Sequence, residues 1–453
     1  MPMSLIVSDR FSLIIGLGKT GLACAQYLAL QGERFQVADS RQQPPFLAQL
    51  SAEKPDTPIH LGEFPQDLCL SASQIILSPG VSLQEPALVA AASAGVPIRS
   101  DIDLFAQAAQ AAGVPIVAIT GSNAKSTVTS LVGQMARTAG LKVAVGGNLG
   151  EPSVSLLAEG VDLYVLELSS FQLESTTALG ANVACVLNVT PDHMDRYDNL
   201  MAYHQAKHRV FQGCKAAVVN GDDALTNPLV PQTVSQTRFS LGDPDVGQFG
   251  MRKQGDDEWL VQGLRPLIAV NKIAMSGRHN MANALAALAL GQAVGLPIDA
   301  MVNALTSFTG LAHRCELIAN IDGVDYINDS KGTNLGATLA ALDGLGPTLA
   351  GKIILIAGGV GKGADFSDLV APLLRYGKHT LLIGEDAHQI EQALDGKVLF
   401  SHAKTMQAAV NMAHEFAQSG DLVLLSPACA SFDAYTGFEA RGDHFAQLVR
   451  VLA

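Results

Sequence analysis

The chain has 453 residues, of which 48% are hydrophobic and 16% charged, and a formal net charge of -13. That length exceeds one core of ~100–200 residues, so two or three domains are expected, and the composition excludes a disordered chain. The acidic balance argues against a nucleic-acid partner, because a phosphate backbone needs a basic surface.

Met1 to Ser12 lacks a basic stretch followed by an apolar one, so no signal peptide is expected. No uninterrupted apolar run reaches the ~18 residues of a membrane span. The six cysteines, Cys24, Cys69, Cys185, Cys214, Cys315 and Cys429, are scattered without a CxxC pair. They read as buried thiols of a reducing compartment, and a cytoplasmic protein follows.

Short apolar strands, polar turns and helices alternate along the chain. Phe11–Ile15 runs into Gly16-Leu17-Gly18-Lys19-Thr20-Gly21 and a helix through Leu30. Phe35–Ala38 ends at Asp39, and Gln74–Leu77 ends at Ser78. The Gly-rich turn suits close approach of a pyrophosphate to backbone N–H groups, and an acid at Asp39 could meet a ribose hydroxyl. A purely structural turn is the competing reading, and an NAD(P)-dependent oxidoreductase is a competing function.

Pro115–Thr120 enters a second loop, Gly121-Ser122-Asn123-Ala124-Lys125-Ser126-Thr127, which opens a helix to about Thr138. Lys125 can neutralise β/γ-phosphate charge, and Ser126 or Thr127 can meet Mg²⁺. The strict phosphate-loop pattern fails at Ile119 and at Ala124, where glycine normally stands. A left-handed backbone at Ala124 would cost ~1–2 kcal/mol.

Leu163–Leu166 ends at Glu167, which would face that loop if the two strands are neighbours and could then bind Mg²⁺ or its waters. Val183–Val189 leads to Asp192-His193, readable as a site or as a helix N-cap with a loop histidine. Val230 to Leu264 reads as peripheral antiparallel strands. Asn280 and Asn283 share a face at the start of an apolar helix and could contact a base or cap the helix.

In the last third, strands at Val324–Ile327, Ile353–Ile356 and Leu422–Leu425 each end in a polar loop, and Thr380–Ile383 is a further strand. The loops are Asn328–Asn334, Gly358–Lys362 and Ser426–Ser431. Two of them carry a lysine, which suits a carboxylate ligand.

Strands alternating with helices imply an α/β protein built on parallel sheets. The series restarts twice, which gives three domains: 1–103, 104–310 and 311–453.

Together these motifs, with Glu167–Leu173, Asn188–Arg196, His279–Asn283, His313-Arg314 and Phe438, resemble the Mur ligase family over nearly the whole chain, in its D-glutamate-adding branch. The resemblance implies an N-terminal Rossmann-like domain, a central P-loop ATPase domain with a parallel sheet, and a C-terminal Rossmann-like domain. It implies a monomeric, ATP- and Mg²⁺-dependent ligase joining D-glutamate to UDP-N-acetylmuramoyl-L-alanine through an acyl phosphate. Lys19, Thr20, Asp39, Ser40, Arg41 and Ser78 would surround the UDP part, with Asn148 reaching in from the central domain.

By the same resemblance, Gly121 through Thr127 would hold the ATP phosphates, and Asn280, Asn283, Arg314 and Asp329 its adenosine. Ser126, Glu167, His193 and a carbamylated Lys207 would bind Mg²⁺, and Lys125, Glu167, His193 and Lys207 would be catalytic. Lys331, Thr333, Lys362, Ser431 and Phe438 would take D-glutamate. Ala124 departs from the family pattern and leaves open a weakened or dead ATPase. A sister ligase adding a different amino acid and a folylpolyglutamate synthetase are competing functions within the same chemistry.

Overall fold

The computed structural model describes residues 10–177, 179–275 and 277–452. Three sheets follow one another along the chain. The first is five-stranded and parallel, in the order Ile59–Leu61, Phe35–Asp39, Ser12–Ile15, Gln74–Leu77, Ile98–Ser100. Ser12–Ile15 is central, with sequence neighbours running off to either side. The Gly-rich turn that follows it therefore lies at a switch point, where a crevice opens.

The second sheet has nine strands. Ile116–Thr120 lies between Val183–Val186 and Leu163–Glu167, parallel to both. Ile119 pairs with Glu167, so the neighbour relation expected from the sequence holds. At the far edge Ser235–Phe239 pairs in parallel, and only Phe249–Gln254, Asp257–Gln262 and Arg265–Ala269 are mutually antiparallel. The expected peripheral antiparallel segment is thus correct from Phe249 onward and wrong for Ser235–Phe239.

The third sheet runs Glu316–Ile321, Val324–Asn328, Leu422–Leu425, Ile353–Gly358, Gly377–Ile383, Phe400–His402 and is parallel except at its first pair. The α/β, three-sheet class matches the expectation. The strands run as near-continuous apolar stretches because helices cover both faces. Ile353–Gly358, for example, is buried at all six positions.

The first two sheets share a core. Ile14 and Val37 from one and Ala118, Tyr164 and Leu166 from the other belong to one apolar cluster, joined through Phe105. Phe105 lies on the helix Asp101–Ala111, into whose first turn position 103 falls. Ser100 and Asp103 form a capping box there, and Asp103 also accepts from the N–H and hydroxyl of Thr177.

The helix Arg278–Ala293 is buried on most sides, and near its start His279 packs against the helix Leu335–Leu345. A β-carbon at Gly344 would land on the His279 ring. Gly344→Ala is therefore expected to lower stability by ~1–3 kcal/mol through overpacking. A denaturant midpoint equal to that of the parent would contradict this.

Among the described residues, no helix is long and apolar enough to cross a membrane. All six cysteines are unpaired thiols, and five are buried, Cys315 being half-buried.

Candidate active site

Two cavities lie at the carboxyl ends of the strands. One, of ≈ 590 Å³, sits between the Gly-rich turn and the second sheet. Its wall includes Lys19, Thr20, Asp39, Ser40, Arg41, Ser78 and Asn148. The other, of ≈ 710 Å³, is formed between the second and third sheets. Asn148, Ser169 and Phe171 line both, so the cavities meet there.

In the first cavity Asp39 is almost completely buried. It accepts from Leu17 N (2.7 Å) and from Arg41 N, Nε and Nη2 (2.9, 2.9 and 2.7 Å). Burial alone would raise its carboxyl, but these bonds, the Arg41 side chain foremost, bring it down to about 2. Asp39 thus braces the turn and holds Arg41. Ser78 does likewise, its Oγ donating to Gly16 O at 2.9 Å. Gly21 must lack a side chain, because a β-carbon would collide with Gly16 O. Lys19 reaches across to Gly150 O and the Glu151 carboxylate.

In the second cavity the loop before the helix Lys125–Thr138 is drawn tight. Lys125 Nζ donates to Gly121 O and Ser122 O, both at 2.8 Å. Asn123 N donates to Asn188 Oδ1 (2.8 Å), and Ser122 Oγ donates to Thr190 O (2.9 Å). Ala124 has φ 65 and ψ −4, the left-handed conformation that glycine would adopt without cost. Ala124→Gly is therefore expected to raise stability by up to ~1 kcal/mol, the relief of that strain less the extra freedom of an unfolded glycine. The KM for ATP should fall with it. A lower melting temperature together with an unchanged KM would sink this expectation.

Glu167 is 2% exposed, so its carboxylate is withdrawn from bulk water. Its Oε1 accepts from Asn148 Nδ2 at 2.6 Å, whereas Oε2 is buried with no hydrogen-bond partner among the described residues. A bare buried carboxylate oxygen is costly and suits a cation or a cation's water.

Lys207 is 1% exposed and lies over the Tyr203 ring, with Nζ donating to Gly121 O at 2.8 Å. Burial first, and then the Lys125 charge, push its pKa well below the ordinary lysine value. Burial also lowers Lys125. His193 has φ 57, sits edge-on to Phe171 and follows the half-buried Asp192. Asp192 is not the N-cap that the sequence allowed. The next helix, Leu200–His208, is capped by Asn199, which accepts from Ala202 N.

The third sheet closes over this wall. Arg314 donates to Ser126 Oγ, Lys362 pairs with Asp192 at 2.8 Å, and Asn334 donates to both Asn123 Oδ1 and Asp192 Oδ2. Lys331 stands 3.9 Å over the Phe438 ring, and burial pushes it down to about 8. Burial pushes Asp329 up to about 6, against the hydroxyl of Ser426 and the N–H of Cys315. Asn283 donates to Asn280 Oδ1, so the two do share a face. Thr333, Ser431 and Phe438 complete the lining. The cavity's walls hold four lysines, Lys125, Lys207, Lys331 and Lys362, and Arg314, inside an acidic protein. Such a site draws in anions against the overall field.

The expected residues therefore assemble into two adjoining sites. Sequence reasoning left Asp192 open between site and cap, and missed Asn188, Asn334 and Phe171 as members of the site. All three fall within stretches marked out by their polar strand-end position or by the resemblance.

Family models match in chain order: a Mur ligase MurD-like N-terminal domain over 10–100, a Mur ligase middle domain over 119–291, and a Mur ligase glutamate ligase domain over 313–429. The chain belongs to the Mur ligase family. It is 53% identical over 451 residues to a Pseudomonas aeruginosa protein and 52% identical over 450 residues to one from Marinobacter nauticus. Both are named UDP-N-acetylmuramoylalanine–D-glutamate ligase. These matches cover 100% and 99% of this chain and all of each relative.

Solved Mur ligases share the fold at low identity. A Thermotoga maritima MurF ligase in complex with ADP has a TM-score of 0.64 at 15% identity, over 98% of this chain and 96% of that one. A UDP-N-acetylmuramate-alanine ligase from the same organism has a TM-score of 0.60 at 17% identity, over 98% and 100%.

Proposed function

We infer that this Mur ligase is an ATP-dependent ligase that joins D-glutamate to UDP-N-acetylmuramoyl-L-alanine, a step in building peptidoglycan precursors. The observation that carries this reading is full-length identity above half to relatives of that name. The two adjoining cavities support it, because a ligase must bring a nucleotide-linked carboxylate, ATP and an amine together. An oxidoreductase would leave the Lys125 loop, Glu167 and Lys207 without a task. The three units are proposed as 1–103, 104–310 and 311–453, the first two sharing the helix Asp101–Ala111, in a protein acting as a monomer.

In this reading the first cavity takes the UDP part, with Lys19, Thr20, Ser40, Arg41 and Asn148 on its wall and Asp39 and Ser78 bracing the turn. The loop Gly121 to Thr127 cradles the ATP phosphates. Asn280, Asn283, Arg314 and Asp329 flank the adenosine. Mg²⁺ fits the residues present, Ser126, Glu167 with its bare Oε2 and His193, together with Lys207 once that side chain is carbamylated. Among the described residues no cluster of three or more His, Cys, Asp or Glu forms a cage. That accords with a cation bound by few protein ligands plus substrate phosphates. When bound, Mg²⁺ would neutralise charge on the transferring phosphoryl group.

Lys125 withdraws from its own loop carbonyls to meet that phosphoryl group, which the alanyl carboxylate attacks to give an acyl phosphate and ADP. Lys331, Thr333, Lys362, Ser431 and Phe438 hold D-glutamate so that its amine attacks the acyl carbon and phosphate leaves. Positioning and charge neutralisation carry most of the rate.

Incubation with ATP, Mg²⁺ and UDP-N-acetylmuramoyl-L-alanine, with one amino acid at a time, tests the reading by product mass. Product with D-glutamate and none with L-alanine or diaminopimelate is expected. Product with a different amino acid would overturn the assignment of the acceptor.

A further inference from the structure

Arg441 is 1% exposed and is the largest fully buried side chain of the described residues. It stands on the last helix, Phe438–Leu452, one turn from Phe438. Its Nε donates to Ser330 Oγ at 3.0 Å, and its Nη2 donates to Ser330 O at 2.9 Å and Cys429 O at 3.0 Å. Ser330 Oγ in turn donates to Phe438 O at 2.8 Å. One guanidinium therefore ties together the loop that carries Lys331 and Thr333, the loop that carries Ser431, and the helix end that carries Phe438. Those are the walls of the proposed amino-acid pocket.

No carboxylate pairs with it. Nη1 is buried without a hydrogen-bond partner, and no ion pair to Arg441 occurs among the described residues. Asp433 and Asp329 act on its charge from a distance, and each accepts a hydrogen bond elsewhere, Asp433 from Glu385 N and Asp329 from Ser426 Oγ. Burial pushes the guanidinium down to about 10, so it keeps its charge at neutral pH. A buried cation with no carboxylate in contact is destabilising, and an apolar side chain of similar volume would fill the space without that penalty. Its presence here makes sense if further negative charge arrives with a ligand.

We propose that Arg441 is a positioning residue that makes the C-terminal pocket selective for an amino acid carrying an extra carboxylate, by clamping the Lys331 and Ser431 loops and holding behind them a buried positive charge that no carboxylate touches. This rests on reading that pocket as the amino-acid site.

The test compares the parent with Arg441→Gln, which keeps donors but not charge, and Arg441→Lys, which keeps charge with fewer donors. Michaelis constants for D-glutamate, ATP and the UDP substrate are measured on variants whose cooperative thermal unfolding is intact. For Arg441→Gln the D-glutamate KM is expected to rise about tenfold or more, the other two staying within about twofold, with Arg441→Lys recovering part of the loss. Three constants that rise together, or none that moves, would overturn the proposal. So would Arg441→Lys behaving no better than Arg441→Gln. If Arg441→Gln does not fold, the Arg441→Lys protein decides: a D-glutamate KM equal to the parent's while D-alanine is no better accepted supports the charge, and a general loss of affinity refutes it. A parent enzyme that ignores D-glutamate altogether would instead refute the pocket assignment beneath it.

Discussion

Replacing Lys125 by alanine is expected to lower kcat/KM for ATP by on the order of 10³-fold, with the fold retained. The ammonium is held by two carbonyls of its own loop, Gly121 O and Ser122 O. Those bonds are weak competitors for a polyanion. The lysine is half-buried in the cavity wall, so its charge acts on a phosphoryl group with less screening than in open water. Loss of the side chain leaves Arg314, whose guanidinium already engages Ser126 Oγ, as a cation on the same loop. Steady-state kinetics alongside thermal melting checks this. A loss of less than about threefold would mean that the nucleotide binds elsewhere.

Replacing Lys207 by methionine is expected to abolish turnover to a similar degree, roughly 10³-fold, while preserving volume in a fully buried position. An ammonium there could not ligate a cation. Burial and the neighbouring Lys125 shift the group toward the neutral amine, which is the form that adds carbon dioxide and releases one proton to give an anionic carbamate. The sign matters. A depressed lysine pKa enlarges the share of free amine at a given pH, and lowering the pH protonates it and removes the reactive form. Activity should therefore fall in buffers stripped of carbon dioxide and recover on addition of bicarbonate. Full turnover in the stripped buffer, or in the methionine variant, would rule out the carbamate.

The phosphate loop was legible because an apolar strand, a Gly-bounded turn and Lys-Ser-Thr stand in direct succession, a local pattern with one physical reading. Glu167 was legible for the same reason, at the end of a strand that had to be a neighbour. Even the strain at Ala124 followed from the sequence, since its place in the loop called for a positive φ.

Less visible was which way the polar groups turn. Asp39 and Ser78 sit where a ribose or phosphate contact was expected, yet their oxygens are committed to Leu17, Arg41 and Gly16. Lys362, expected on the amino acid, is paired with Asp192 from a strand end 170 residues away in the chain. Such cross-domain partners leave no periodic trace. Arg441 was missed altogether, because an arginine within an amphipathic helix reads as a solvated face. Only packing shows it turned inward.

The central claim is that the alanyl carboxylate is activated as an acyl phosphate and then captured by the amine. The most direct measurement is the fate of heavy oxygen placed in that carboxylate of UDP-N-acetylmuramoyl-L-alanine. The account predicts that, with ATP and D-glutamate present, one labelled oxygen per turnover appears in the released inorganic phosphate. Label confined to the peptide product, with unlabelled phosphate released, would contradict it.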